Sequence, residues 1–277
     1  MNLIALLDKY PPRTVQAGSR KLSYRESGKG PRTLVLLHGV GTDSASWIQQ
    51  LDAFASVCRV IAWDAPGYGE STPPASGEPV ATDYADALLG LLDALDIRQA
   101  LLVGQSLGAI MATALAARHP ERIEKLVLTG PAAGYGDADP AERSERLNAR
   151  VKQMNELGPA GMAASRGAAM LSEQAGEEVR DFMGACQQRL NPAGYIQAVH
   201  MLSSAVIARD AARYAAPVLV LSGAIDKVTP PAGCQQIAQS FPCGAYRALP
   251  GLGHGSYVEG AAHVNAILGA YFGLAGK

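Results

Sequence analysis

No run of about 18 apolar residues occurs in the chain, so no membrane-spanning helix is expected. The opening Met1–Leu7 stretch is too short for a signal peptide, lacks a basic leader and meets Asp8-Lys9 at once. Lys and Arg are not clustered and the formal net charge is -1, which leaves nucleic-acid binding without an electrostatic footprint. The four cysteines, Cys58, Cys186, Cys234 and Cys243, form neither a Cys-x-x-Cys pair nor a metal-ligand spacing. They read as the reduced residues of a cytoplasmic protein. Internal repeats and low-complexity segments are missing too. What remains is an ordinary globular balance, 48% hydrophobic and 18% charged over 277 residues, long enough to bury a large core.

What the chain does have is a rhythm of short apolar runs, each followed by turn residues and then a helical pattern. After two strands at 14–17 and 21–26 come Thr33–Leu37, Arg59–Trp63, Leu101–Val103, Ile123–Leu128 and Pro217–Ser222. Runs without alternation suit strands buried on both faces, and strands alternating with helices imply a mainly parallel sheet covered on both sides. From about Ala141 to Ala212 no such run appears. Several helices are predicted there, interrupted near Gly158-Pro159, Gly176 and Asn191-Pro192. A short strand at Tyr246–Leu249 and a helix at Ala261–Phe272 close the pattern. The expected organisation is an α/β core of residues 1–131 and 217–277, with 132–216 inserted as a helical cap.

One stretch carries chemistry. Leu101–Val103 leads into Gly104-Gln105-Ser106-Leu107-Gly108 and then into an Ala-rich helix ending before Pro120. A Gly-x-Ser-x-Gly pentapeptide between strand and helix has the context of a nucleophile elbow, whose flanking glycines avoid steric collision. Taken alone it could be a tight turn with an incidental serine. Two further residues follow predicted strands, giving the chain order Ser106, Asp226, His254. A serine hydroxyl needs a base to take its proton, and the imidazole needs a carboxylate to fix its tautomer. His254 lies between two glycines, while His38, in His38-Gly39-Val40-Gly41, reads as a structural brace for its loop. The backbone N–H groups of Val40 and Leu107 are candidate oxyanion donors.

These pieces together resemble the α/β-hydrolase superfamily over nearly the whole chain: His38-Gly39, the Asp64–Ser71 loop, Gly104–Gly108, Asp226 and Gly253-His254. Within it the chain is similar to capped bacterial esterases, enol-lactone hydrolases and carbon–carbon hydrolases. The resemblance implies Ser106 as nucleophile, Asp226 as acid, His254 as base, and Val40 and Leu107 as oxyanion donors, with no metal or cofactor. It implies only a structural role for Asp64–Ser71. Serine at the elbow argues against dehalogenase and epoxide-hydrolase chemistry. Gly255, where carbon–carbon hydrolases commonly carry Trp, lowers that reading. The expected function is cofactor-independent hydrolysis of a small carboxylic ester or lactone. Carbon–carbon cleavage and non-catalytic ligand binding on the same fold are the alternatives.

The substrate side rests on the inserted segment. It holds Met154, Met162, Met170, Met183 and Met201, adaptable fillers of pockets and of ordinary cores alike. It also holds Arg143, Arg146, Arg150, Arg166, Arg180 and Arg189, any of which could meet a substrate carboxylate or simply face solvent. Their spacing does not distinguish one from another.

Overall fold

The structure, a computed structural model, describes residues 2–274 apart from the side chains of Arg166 and Ala168. Eight strands form one sheet: β1 (Arg13–Ala17), β2 (Arg20–Ser27), β3 (Thr33–Leu37), β4 (Arg59–Trp63), β5 (Ala100–Gln105), β6 (Ile123–Thr129), β7 (Val218–Gly223) and β8 (Gly244–Leu249). Their order is β1-β2-β4-β3-β5-β6-β7-β8. The first two pairings, β1 with β2 and β2 with β4, are antiparallel, and all later ones are parallel.

Helices fill the connections. α1 (Leu3–Lys9), α2 (Ile48–Phe54), α3 (Ala81–Ala94) and α4 (Leu107–Arg118) accompany the first strands. α5 (Pro140–Arg166), α6 (Glu177–Gln188), α7 (Pro192–Ser204) and α8 (Ile207–Ala211) lie between β6 and β7. α9 (Pro231–Ser240), α10 (Ser256–Glu259) and α11 (Ala261–Phe272) complete the chain. The period-two geometry of a strand divides each apolar run between two cores. Val35 and Leu37 join the core beneath α3, α4 and α9, whereas Leu34 and Leu36 join the one beneath α1, α2 and α11. α4, rich in alanine, is buried from Leu107 through Ala116, as an all-round apolar helix must be. Helices α1 and α10 have no counterpart in the sequence reading. At four residues α10 is too short to display a helical period.

The helices between β6 and β7 break where turn residues stand. Gly158, at φ 61°, kinks α5 ahead of Pro159, while Asp139 and Asn191 cap α5 and α7, each before a proline at the first helical position. Several contacts tie this segment to the sheet. The Arg189 guanidinium donates to both carboxylate oxygens of Asp43, at 2.8 and 3.3 Å. The Gln197 side-chain amide donates to the carbonyls of Pro74 and Ser76. Gly194 of α7 sits directly on the backbone of Gly67, where an added Cβ would overlap the Gly67 carbonyl. Gly194→Ala is therefore expected to destabilise by about 1–3 kcal/mol through overpacking. Helix propensity alone predicts a gain of roughly 1 kcal/mol for the same change. The shift of the urea midpoint decides the sign.

Candidate active site

Ser106 sits between the last residue of β5 and the first of α4, with φ 51° and ψ -112°. A non-glycine residue held there stores on the order of 1–3 kcal/mol of strain, which persists only where the surroundings over-determine it. The Ser106 N–H donates to the Thr129 carbonyl, and the Ser106 carbonyl accepts from Ala109 and Ala132. The flanking glycines are steric necessities. A Cβ on Gly104 would lie 2.6 Å from the Gly108 carbonyl oxygen, and one on Gly108 would lie 2.5 Å from that of Leu37. Ser106 itself is 7% exposed and borders a cavity of about 350 Å³ at the carboxyl ends of the strands.

Asp226 and His254 meet on the same side. His254 Nδ1–H donates to Asp226 Oδ2 at 2.8 Å, and both side chains are buried. The Asp226 carboxylate also accepts the Thr229 hydroxyl at 2.8 Å and the N–H groups of Val228 and Thr229 at 2.7 and 2.9 Å. Burial alone would push this carboxyl up. Hydrogen bonds from His254 and Thr229 outweigh it and hold Asp226 below the usual carboxylate range. Gly130, at φ 50°, passes close beneath the pair, where a Cβ would come within 3.1 Å of His254 Nδ1.

The other imidazole nitrogen has an unforeseen partner. With Nδ1 protonated toward Asp226, the lone pair on His254 Nε2 accepts the Gln105 side-chain N–H at 3.1 Å. The Ser106 hydroxyl borders the same space but makes no hydrogen bond among the described residues. Gln105 is fully buried, and its Oε1 has no partner among the described residues. Gly39 leaves room for it, since a side chain at 39 would collide with that oxygen. His38 lies aside from this chemistry. Its Nδ1–H donates to the Gly39 carbonyl and its Nε2 accepts the Ala65 N–H, while burial lowers its pKa and keeps it neutral. Asp64 is likewise structural, accepting the Ser23 hydroxyl and the Ser44 N–H.

Val40 and Leu107 both line the cavity, and as the first residue of α4 Leu107 has an N–H with no partner inside the helix. The far wall comes from the segment between β6 and β7, including Tyr135, Arg150, Met162, Met170, Leu190 and Tyr195. Of the methionines singled out in sequence, Met162 and Met170 reach the cavity, while Met154, Met183 and Met201 are buried core residues. The arginines separate as clearly. Arg189 pairs with Asp43, Arg146 with Glu142, and Arg180 donates to backbone carbonyls. Arg150 alone of the described ones lines the cavity. The Arg166 side chain lies outside the described residues.

A family model described as alpha/beta hydrolase fold matches residues 32–261. The chain belongs to this family. It is 30% identical to the dihydrolipoyllysine-residue acetyltransferase component of the acetoin cleaving system of Pseudomonas putida, over 92% of this chain and 67% of that protein. It is 42% identical to the 2-hydroxymuconate semialdehyde hydrolase of Pseudomonas sp. (strain CF600), over 43% of each. Among solved structures, the enol-lactonase from Burkholderia xenovorans LB400 superposes with a TM-score of 0.84 at 26% identity, covering 95% of this chain and 99% of that one.

For an α/β hydrolase, three site features escaped the sequence reading. Gln105 carries no local sign in the sequence that its side chain reaches His254. Thr229 lies in a local turn closed by the Asp226 carboxylate on the Val228 and Thr229 N–H groups, which here brings its hydroxyl back to the same carboxylate. Arg150 became distinguishable only through tertiary structure. Among the described residues no helix is long and apolar enough to cross a membrane.

Proposed function

We propose that this α/β hydrolase cleaves a small carboxylic ester or lactone through an acyl-enzyme on Ser106, without a cofactor. The observation that supports this reading is that a strained serine, His254 with its Asp226 partner behind it, and the residues Val40 and Leu107 border one cavity. Ser106 Oγ attacks the carbonyl carbon while His254 Nε2 takes its proton. The resulting oxyanion accepts from Val40 and Leu107, each such donor being worth about 2.7–4 kcal/mol in the transition state. Collapse expels the alcohol, which takes the proton from Nε2. Water then attacks the acyl carbon, giving its proton to His254, and release of the acid returns a proton to Ser106. His254 can serve only once its lone pair leaves the Gln105 amide, so substrate entry has to displace that contact. In this reading residues 132–216 act as a cap over a core of 1–131 and 217–277.

The test is covalent. A fluorophosphonate should form an Oγ–P bond at Ser106, with fluoride expelled and the proton passing to His254. Intact-mass and peptide analysis should find one adduct, on the peptide containing Ser106. A wild-type protein that stays unlabelled, or is labelled elsewhere, overturns the serine-hydrolase reading and favours ligand binding without turnover.

A second reading, carbon–carbon bond hydrolysis, draws on the identity to the 2-hydroxymuconate semialdehyde hydrolase. Release of a carboxylic acid from a ring-fission dienoate, with p-nitrophenyl esters untouched, would select it.

A further inference from the structure

The cavity wall opposite Ser106 carries a charge with nothing to answer it. Arg150 projects from the first limb of α5 into the cavity and is partly buried there. Its guanidinium lies against the hydroxyls of Tyr135 and Tyr195, Nη2 reaching that of Tyr135 at 3.5 Å, and no carboxylate pairs with it among the described residues. Five N–H donors on a planar fork are thus left almost unused. Beside it stands Tyr195, 1% exposed, whose hydroxyl lies next to the guanidinium but makes no well-formed hydrogen bond among the described residues. Both side chains line the same cavity, and around them the lining is apolar: Met162, Leu190 and Leu202. A buried charge is costly when unpaired, and an orphaned buried hydroxyl adds to that cost. Arg146 does not explain the arrangement. It pairs with Glu142 and covers the Tyr135 ring from the other side, at 4.8 Å from the centroid.

We infer that Arg150, with the hydroxyls of Tyr135 and Tyr195, forms a carboxylate subsite, so that the ester or lactone hydrolysed at Ser106 carries a second, free carboxylate. The planar fork of arginine matches the two oxygens of a carboxylate, and a tyrosine hydroxyl supplies a further donor at the side. The apolar lining between the subsite and Ser106 suits a short hydrocarbon spacer. The preferred substrates are therefore half-esters of small dicarboxylic acids, or lactones bearing a side-chain carboxylate. This inference rests on the serine-hydrolase reading for what happens at Ser106, but the subsite binds its ligand whether or not turnover follows.

The experiment separates the two. In the Ser106→Ala protein, monomethyl succinate, glutarate and adipate are compared with the matching dimethyl esters by calorimetry. At least one half-ester should bind ten times or more tightly than its neutral diester. Arg150→Gln, checked for folding by circular dichroism, should remove that preference with a loss of roughly 30-fold or more in half-ester affinity. Tyr195→Phe removes one oxygen atom and should lower the preference for the half-ester over its diester about 3- to 10-fold. It carries the test if Arg150→Gln does not fold. Half-esters that bind no better than diesters, or a preference that survives these substitutions, overturn the subsite. Fluorophosphonate labelling of Ser106 in the wild type reads the catalytic proposal independently, so either idea can fail alone.

Discussion

Ser106→Ala is expected to lower kcat for p-nitrophenyl butyrate by on the order of 10⁴- to 10⁶-fold with little change in KM, as removal of a triad serine does elsewhere. In the proposed mechanism the substitution deletes the atom that would form the acyl-enzyme but leaves the cavity wall, including Val40 and Leu107, and the His254–Asp226 pair in place. What survives is the slower attack of water on a bound, polarised ester. The backbone supplies a second readout. Alanine at φ 51° is as strained as serine, whereas Ser106→Gly relieves the strain. The glycine variant should therefore be equally inactive but more stable, by about 1 kcal/mol in urea unfolding. Activity within tenfold of wild type in either variant would show that another group performs the attack.

Asp226→Asn should cost about 10⁴-fold in kcat. The carboxylate accepts His254 Nδ1–H, two backbone N–H groups and the Thr229 hydroxyl. An amide offers one oxygen to these donors and turns its own NH₂ against at least one of them. The favoured relief is to move the imidazole proton to Nε2, which removes the lone pair from the nitrogen that the proposed mechanism uses as base. The same substitution alters the response to acid. Because the native carboxyl titrates below its unfolded value of about 3.9, its stabilisation is complete above that pH and is lost as pH falls through the native value. Asparagine has no such term. The acid limb of stability against pH, measured by urea unfolding between pH 5 and 2, should be shallower in the variant. An unchanged acid limb would mean that the hydrogen bonds around Asp226 do not favour its charged form.

The sheet was legible because its strands are long-range in pairing but local in composition. Thr33–Leu37 and Arg59–Trp63 begin and end where the apolar runs do, since burial on both faces leaves no polar position inside them. The breaks at Gly158 and Asn191-Pro192 were equally visible, because backbone constraint at glycine and proline is a property of single residues. Side-chain encounters between distant segments were not. Gln105 and His254 are 149 residues apart, and only the assembled fold brings them to hydrogen-bonding distance. The six arginines of the helical segment looked alike in sequence because their spacing marks none of them out. Those with described side chains are told apart only by which elements lie beside them in space.

The seat of His254 has a consequence for how such a protein can change. Gly253 packs against the backbone of Leu171 and Ser172, and the Gly255 N–H donates to the Met170 carbonyl at 2.6 Å. Residues 170–172 belong to the same helical segment that supplies Met162, Arg150 and Tyr195 to the cavity wall. The cavity wall and the support of His254 therefore share one piece of chain. Grafting this segment from a relative to alter selectivity would unseat the histidine unless residues 170–172 were retained in register. Drift toward new ligands is freest in single side chains of α5 and α7, which can be exchanged without touching the buttress.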